Sequence, residues 1–570
     1  MNPCHFVTHQ RALELQKRIY HSLKAETEFL LGKTPESILR YARETQKDFK
    51  NISRIQPMTK SQLIQEVRNS DVSFIADFHT YKQSQRTALR ITRDAIQPHQ
   101  LWYIGLELVP SQFQNYLDQF YEGEISLLAL KQSIAYEAEW GFPWKNYSPI
   151  FEWAQKNRIR LIALDRPKQI IQTEQDRDLH QRDEWAAGII TDLFHESLKQ
   201  GIRPKILVLY GELHVGTAHL PYQLKKISQA FLKKPLSWIT IHQDDDKLYW
   251  KLAKQHREFS TEIIKLRKNL FCVFSGTPWG KLQSLVNWAE GLDPDSAEYE
   301  NSEMDSDFVH LLQTSNKIIS ELLKVKQAPL ESLSIYTVEN LEAFTELEHP
   351  ASRDHQVSKL IQFYITHHQR FYIPAHSFHS AVSAAFVGSP SENGAAELAA
   401  IHILRTTNPV QSFFLAEKDD IFRIILENTF GFFGSLVLNP RRKCDLIQDH
   451  LQRIEGLKIG AKPLFPQELA TREAVLQFIR SPLLRELRLS ESPFNQKYPW
   501  IECLAARYLG KIIGKHLYQS VIDDSIDLDF IRKTFLKPLE PKNDSFEIRY
   551  FSLLHAMKNT QMSVTKLEFL

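Results

Sequence analysis

Two apolar runs of strand type in this chain stop in the same way. Phe74-Ile75-Ala76 gives way to Asp77-Phe78-His79, and Val208-Leu209-Tyr210 gives way to Gly211-Glu212-Leu213-His214. Carboxylates and imidazoles fill a core poorly, so each run must end at a surface or a cavity. In a parallel sheet the carboxyl ends of all strands lie along one edge, and ligands bind in the crevice outside that edge. Two further runs fit this scheme: Tyr103-Ile104-Gly105-Leu106 ends in Glu107, and Leu161-Ile162-Ala163-Leu164 ends in Asp165-Arg166.

Between these runs lie amphipathic stretches at helical spacing. Strands are expected at Val72–Ala76, Leu101–Leu106, Arg160–Leu164, Ile206–Leu209 and Leu236–His242, with Lys247–Leu252 as an added edge strand. Helices are expected at Gln85–Ile96, Ser111–Phe120, Pro149–Gln155 and Asp183–Leu198. Strand and helix in alternation define an α/β domain with a mostly parallel sheet flanked by helices. The strands are apolar throughout rather than alternating, as strands covered on both faces should be.

At 570 residues the chain exceeds one ordinary core. The reading is a helical N-terminal extension over 1–60, the α/β domain over 61–290, an acidic linker over 291–307 and an all-α domain over 308–570. The linker follows from composition: from Glu290 to Asp307 there are eight acidic residues and no Lys or Arg. Beyond it the spacing predicts helices only, among them Phe308–Val325, Ile421–Phe430 and Trp500–Leu517. This half is read as a surface for a protein partner or a second copy. Its Pro374-Ala375-His376-Ser377-Phe378-His379 stretch, with Glu397 and His402 further on, is read as core or interface histidines. The paired Glu-x-x-His pattern of a two-metal bundle is absent.

Composition excludes several classes. A net charge of +2 gives no reason to expect nucleic acid or acidic membranes as partners. The four cysteines form no C-x-x-C pair, which argues against a zinc ribbon or a disulfide scaffold. The N-terminus has no apolar core of signal-peptide length, and no run of about 18 apolar residues is apparent. A cytoplasmic protein without a membrane span is expected.

The side chains gathered at the sheet edge restrict the chemistry. Imidazoles with carboxylates bind a transition metal. Equally, a carboxylate orients an imidazole as a general base on water, or a histidine ligates haem iron. Arg182, in line with Ala186, Ile189 and Leu193, is expected to reach the crevice and pair with Glu107 or Asp183. Gly211 lets a ligand approach the backbone closely. The competing structural reading is that Asp77 or Glu212 caps a following helix and Arg182 makes an ordinary salt bridge.

With these residues in view, the first 290 positions resemble the ChaN-like haem-binding family, of the superfamily that includes the Tiki metalloproteases and the erythromycin esterases. Ala76-Asp77-Phe78-His79 stands where that family has Gly-Glu-x-His. Gly105-Leu106-Glu107 resembles its second motif, Arg182-Asp183-Glu184-Trp185-Ala186-Ala187 its helix motif, and Gly211-Glu212-Leu213-His214 its final Gly-x-x-His. The first motif departs by losing its glycine and by shortening glutamate to Asp77. The resemblance implies a haem or a divalent transition metal as cofactor. Asp77, His79, Glu107, Tyr210 and His214 would be cofactor-binding, and His79, Glu107 and His214 would ligate a metal. The alternative is a hydrolase in which His79, Glu107, His214, Glu212 and Arg182 are catalytic. A third reading is a degenerate enzyme fold kept as a scaffold.

Overall fold

The computed structural model describes residues 7–50, 52, 55–167, 179–290, 303–337, 355–366, 370–373, 382–387, 391–408, 418–465, 467–480, 500–540 and 544–558. The chain divides into two compact units, Ile19–Ser296 and a second made of Met1–Arg18 with Ala297–Leu570.

The Ile19–Ser296 unit is built on an eight-stranded sheet. Its strands are β1 (Gln56–Pro57), β2 (Val72–Asp77), β3 (Trp102–Pro110), β4 (Arg160–Asp165), β5 (Lys205–Gly211), β6 (Trp238–Gln243), β7 (Ile263–Arg267) and β8 (Leu270–Val273), in the spatial order β1-β7-β8-β6-β2-β5-β3-β4. From β8 through to β4 every pairing is parallel, and at the other edge β7 runs antiparallel to both of its neighbours, β8 and β1. The α/β expectation and the four strands that carry its polar ends are present.

Alternation along the strands feeds two separate cores. Ile75, Ile104, Leu106, Leu207 and Leu209 face one layer, with Leu63, Ile91, Leu117 and Phe151 of the covering helices. Val72, Phe74, Ile206, Val208 and Tyr210 face the other, with Ala186, Ile190, Phe194 and Leu224. Each fully buried Leu, Ile or Phe contributes roughly 1.5–3 kcal/mol over leaving it exposed, so both faces of the central strands are anchored.

Two local expectations are corrected. Lys247–Leu252 is no edge strand but part of the helix Asp246–Lys254. Asp245 caps it by accepting from the Leu248 amide at 2.8 Å, and Leu248, Tyr249, Leu252 and Ala253 are buried at helical spacing. The edge is formed instead by β7, β8 and β1, which the sequence reading did not find. Second, the buried stripe of the helix Leu179–Lys199 runs through Asp183, Ala186, Ala187, Ile190 and Phe194, one position off the line from Arg182 to Leu193.

The other unit is mainly helical. It also carries a small sheet that the periodicity did not reveal: β9 (Leu333–Thr337), β10 (Arg370–Ile373) and β11 (Ser383–Val387), with β11 between the other two. These segments have only four or five residues each, too few to establish a period. The helices Lys418–Leu438 and Trp500–Ile522 pack closely because Gly514 lacks a side chain: a Cβ there would lie 2.5 Å from the Thr429 carbonyl oxygen. Residues 421–438, though interrupted by Arg423 and Glu427, are by length and mean hydropathy apolar enough to cross a membrane. Of these residues 83% are buried, and Arg423 pairs with Glu427 at 3.2 Å, as in a core helix. His376 and His379 lie outside the described residues, as does 291–302 of the acidic segment. Glu397 pairs with Arg442 at 2.5 Å and Arg507 at 3.3 Å, and His402 contacts the Tyr372 hydroxyl at 2.9 Å.

Candidate functional site

Parallel register sets Asp77, the last residue of β2, directly beside Gly211, the last residue of β5. β3 lies on the other side of β5, and its pairing with β4 shifts register between Leu106 and Pro110. Irregularities of this kind re-aim side chains, and Glu107 sits within this one. Its carboxylate is 3% exposed and reaches back over β5 to accept from the Gly211 amide at 2.5 Å. The Arg182 guanidinium donates to Glu107 Oε1 at 2.7 Å and to Asp165 Oδ1 at 2.8 Å. Of the two partners foreseen for Arg182, Glu107 is the one it holds.

An imidazole stands on each side of Glu107. His79 Nδ1 lies 3.0 Å from Asp77 Oδ2, an oxygen that also accepts from the Tyr147 hydroxyl at 2.6 Å. Gln85 donates to the other Asp77 oxygen at 2.5 Å. His214 Nδ1 lies 2.7 Å from Asp183 Oδ1, and the Tyr41 hydroxyl donates to Asp183 Oδ2 at 2.6 Å. In both pairs the aspartate takes Nδ1, which leaves Nε2 as the nitrogen with chemistry to spare. His214 Nε2 is 3.8 Å from Glu107 Oε1. A Cβ added to Gly211 would lie 3.3 Å from His79 Nε2 and 3.1 Å from Glu107 Oε2, so His79 and Glu107 meet over that glycine.

The electrostatics follow from burial and charge. Burial would raise Glu107, but the charges of Arg182 and His79, with the Gly211 amide, hold it below the usual carboxylate range. Burial would lower His79, yet its bond to Asp77 and the nearby Glu107 charge raise it. Burial pushes Asp183 up to about 7 and His214 down to about 3, so His214 is a neutral imidazole near pH 7. Burial also raises Asp165, against the pull of Arg182.

Not every expected residue joins the cluster. Glu212 accepts from Lys281 at 3.0 Å and is not among the partners of Glu107. Tyr210 packs edge-on against the His214 ring at 5.1 Å, and among the described residues its buried hydroxyl has no hydrogen-bond partner. Such an orphaned donor marks a place where a water or ligand atom belongs. Tyr41, Gln85 and Tyr147 were missed. Asp183 was foreseen only as a partner for Arg182, not as the carboxylate that orients His214.

Gly211→Ala tests how closely the cluster is packed. The added methyl would meet Glu107 Oε2 at 3.1 Å and His79 Cε1 at 3.2 Å. Overpacking of this kind costs about 1–3 kcal/mol. That loss is expected in urea denaturation of the full chain.

The fold and cluster define a class: an α/β domain with carboxylate-oriented histidines gathered at the carboxyl edge of a mostly parallel sheet. Within this unit, residues 63–219 match the model of a family described as haem-binding uptake, Tiki superfamily, ChaN. They make up a ChaN-like domain containing every cluster residue except Tyr41. Among solved structures the chain is similar to one described as cofacial heme binding to ChaN of Campylobacter jejuni. That similarity has 13% identity and a TM-score of 0.26, and covers 33% of this chain and 87% of that one. No curated protein matches the chain.

Proposed function

We propose that the ChaN-like domain binds haem at this sheet edge, with His79 as the residue that meets the iron. The observation that carries this reading is the setting of His79. Its side chain is 25% exposed, against 6% for His214, so it is the imidazole of the pair that reaches the surface. Trp140 and Phe142 stand against it at ring separations of 4.6 and 4.9 Å, and Trp288 packs at a tilt against Phe142 at 4.7 Å. All three rings are partly exposed. A half-open aromatic wall beside a carboxylate-oriented imidazole suits a flat apolar ring carrying a metal. Haem would supply a coordinating, redox-capable iron. Asp77 holds the Nδ1 proton and keeps Nε2 available, while Tyr147 and Gln85 keep Asp77 in place. The family description supports the same ligand.

A second reading rests on the inner half of the cluster. A neutral His214, tied to Asp183 and facing an ionised Glu107, has the donor set for a metal ion or for a general base acting on water. A haem site at His79 makes no use of it. Haemin titration and metal analysis on one purified sample of the full chain separate the two. The haem reading expects a shifted Soret band that His79→Ala abolishes and His214→Ala leaves largely intact. The metal reading expects stoichiometric metal, lost in His214→Ala, and no Soret shift. A Soret shift unchanged in His79→Ala would sink the first reading.

A further inference from the structure

Three segments that build the inner cluster each carry a second polar side chain nearby. On the helix Glu36–Thr45, Glu44 lies three positions after Tyr41. On the helix Leu179–Lys199, His180 lies three positions before Asp183. Past β5, His219 lies five positions after His214. Residues three apart on a helix share a face. Tyr41, Asp183 and His214 make one set of contacts, and Glu44, His180 and His219 come together as another. One donor atom from each of these three lies within 4.8 Å of the other two.

His219 is the informative member. It is fully buried, and its ring stacks on Tyr41 at 3.6 Å. Its Nε2 lies 3.1 Å from the Tyr41 carbonyl oxygen, which has no proton to give, so Nε2 carries the hydrogen and donates. In the neutral ring Nδ1 then presents a lone pair. Among the described residues that buried atom has no hydrogen-bond partner, and the nearest acid is Glu44, whose Oε2 is 4.0 Å away. A lone pair facing a carboxylate across that gap is repulsive unless a cation stands between them. The surrounding backbone is fixed. The Thr45 hydroxyl donates to the Leu213 carbonyl at 2.7 Å, and Asp48 accepts from the Thr217 amide at 2.8 Å.

We propose that Glu44, His180 and His219 form a second site, for a divalent metal ion of the zinc class, beside Tyr41. Two imidazoles and one carboxylate are a common zinc donor set, and the Tyr41 carbonyl supplies the outer hydrogen bond that metal-bound histidines usually make. Glu44 precedes the segment that matches the ChaN family, so the site draws on this chain's own N-terminal helix. A metal here would clamp Tyr41, which in turn orients Asp183 and His214.

The test uses the full chain, stripped with a chelator and titrated with Co(II), whose visible absorption reports coordination. Glu44 and His180 are both partly exposed, so Glu44→Gln and His180→Ala are expected to fold, which circular dichroism verifies. Even loss of an outer-shell partner weakens metal binding by about 10–100-fold, so loss of a ligand should cost roughly a hundredfold or more. One Co(II) equivalent is expected in the wild type, lost or weakened to that degree in both variants and retained in His79→Ala. Uptake in Glu44→Gln and His180→Ala equal to wild type, or no uptake by the wild type, overturns the proposal. Because haemin plays no part, failure here and failure of the haem reading are separate results.

Discussion

Glu107→Ala is expected to lower the stability of the ChaN-like unit by about 3–5 kcal/mol, the usual cost of removing one partner from a buried ion pair. The carboxylate is 3% exposed, and two different groups depend on it. Arg182 loses its 2.7 Å contact, and the Gly211 amide loses its acceptor. Asp165 still holds the guanidinium at 2.8 Å, and the Arg182 side chain is 21% exposed, so the low end of the range is expected. Glu107→Gln keeps the shape and one acceptor and should cost less. Urea denaturation of both variants measures this. A loss below about 1 kcal/mol for Glu107→Ala would mean that the pair adds no more than a surface contact does.

Glu468→Gln is expected to have a comparable effect in the helical unit and to change its acid limb. Glu468 is 1% exposed. It accepts from Arg453 Nε at 2.9 Å, from Arg472 Nε at 2.8 Å and from the Leu464 amide at 2.8 Å. Burial would raise this carboxyl, but the two guanidinium groups and the amide outweigh it and bring it down to about 2. A carboxyl held below its ordinary value stabilises the fold fully above that ordinary value. The contribution is then lost as pH falls from about 4.5 toward 2, and amounts to roughly 3 kcal/mol. Wild-type stability should therefore decline through that window. In Glu468→Gln the neutral-pH stability should already be lower, and the decline shallower. Denaturation midpoints measured between pH 2 and 7 check both parts.

What could be read in advance followed from one physical rule, that apolar strands do not end in acids and imidazoles without cause. That rule located Asp77, His79, Glu107, Asp165 and His214, helical spacing added Arg182, and the structure joins Arg182, Asp165, His79 and His214 about Glu107, with Asp77 on His79. Glu212 fell outside because it lies in the turn past β5, where strand alternation has ended and its carboxylate pairs with Lys281. Tyr41, Gln85 and Tyr147 were illegible for another reason. Each sits on an amphipathic helix among ordinary polar neighbours, and only the tertiary fold brings its polar tip to an aspartate. The short strands β9, β10 and β11 lack the length for periodicity, while Lys247–Leu252 mixes apolar and polar residues in a way that suits strand or helix. There the Asp245 cap was the deciding signal.

Asp77, Gly211 and Glu107 stand on β2, β5 and β3, three consecutive strands of the sheet flanked on either side by further strands. The pairing of β2 with β5 joins residues more than 130 positions apart, so the crevice cannot assemble from any local fragment. Long-range pairings close late on the folding pathway. On the haem reading proposed above, a growing polypeptide therefore has no ligand-competent precursor until β5 has been synthesised and inserted between β2 and β3. Capture of ligand would then mark chains whose central sheet is complete, and leave truncated or half-folded ones empty.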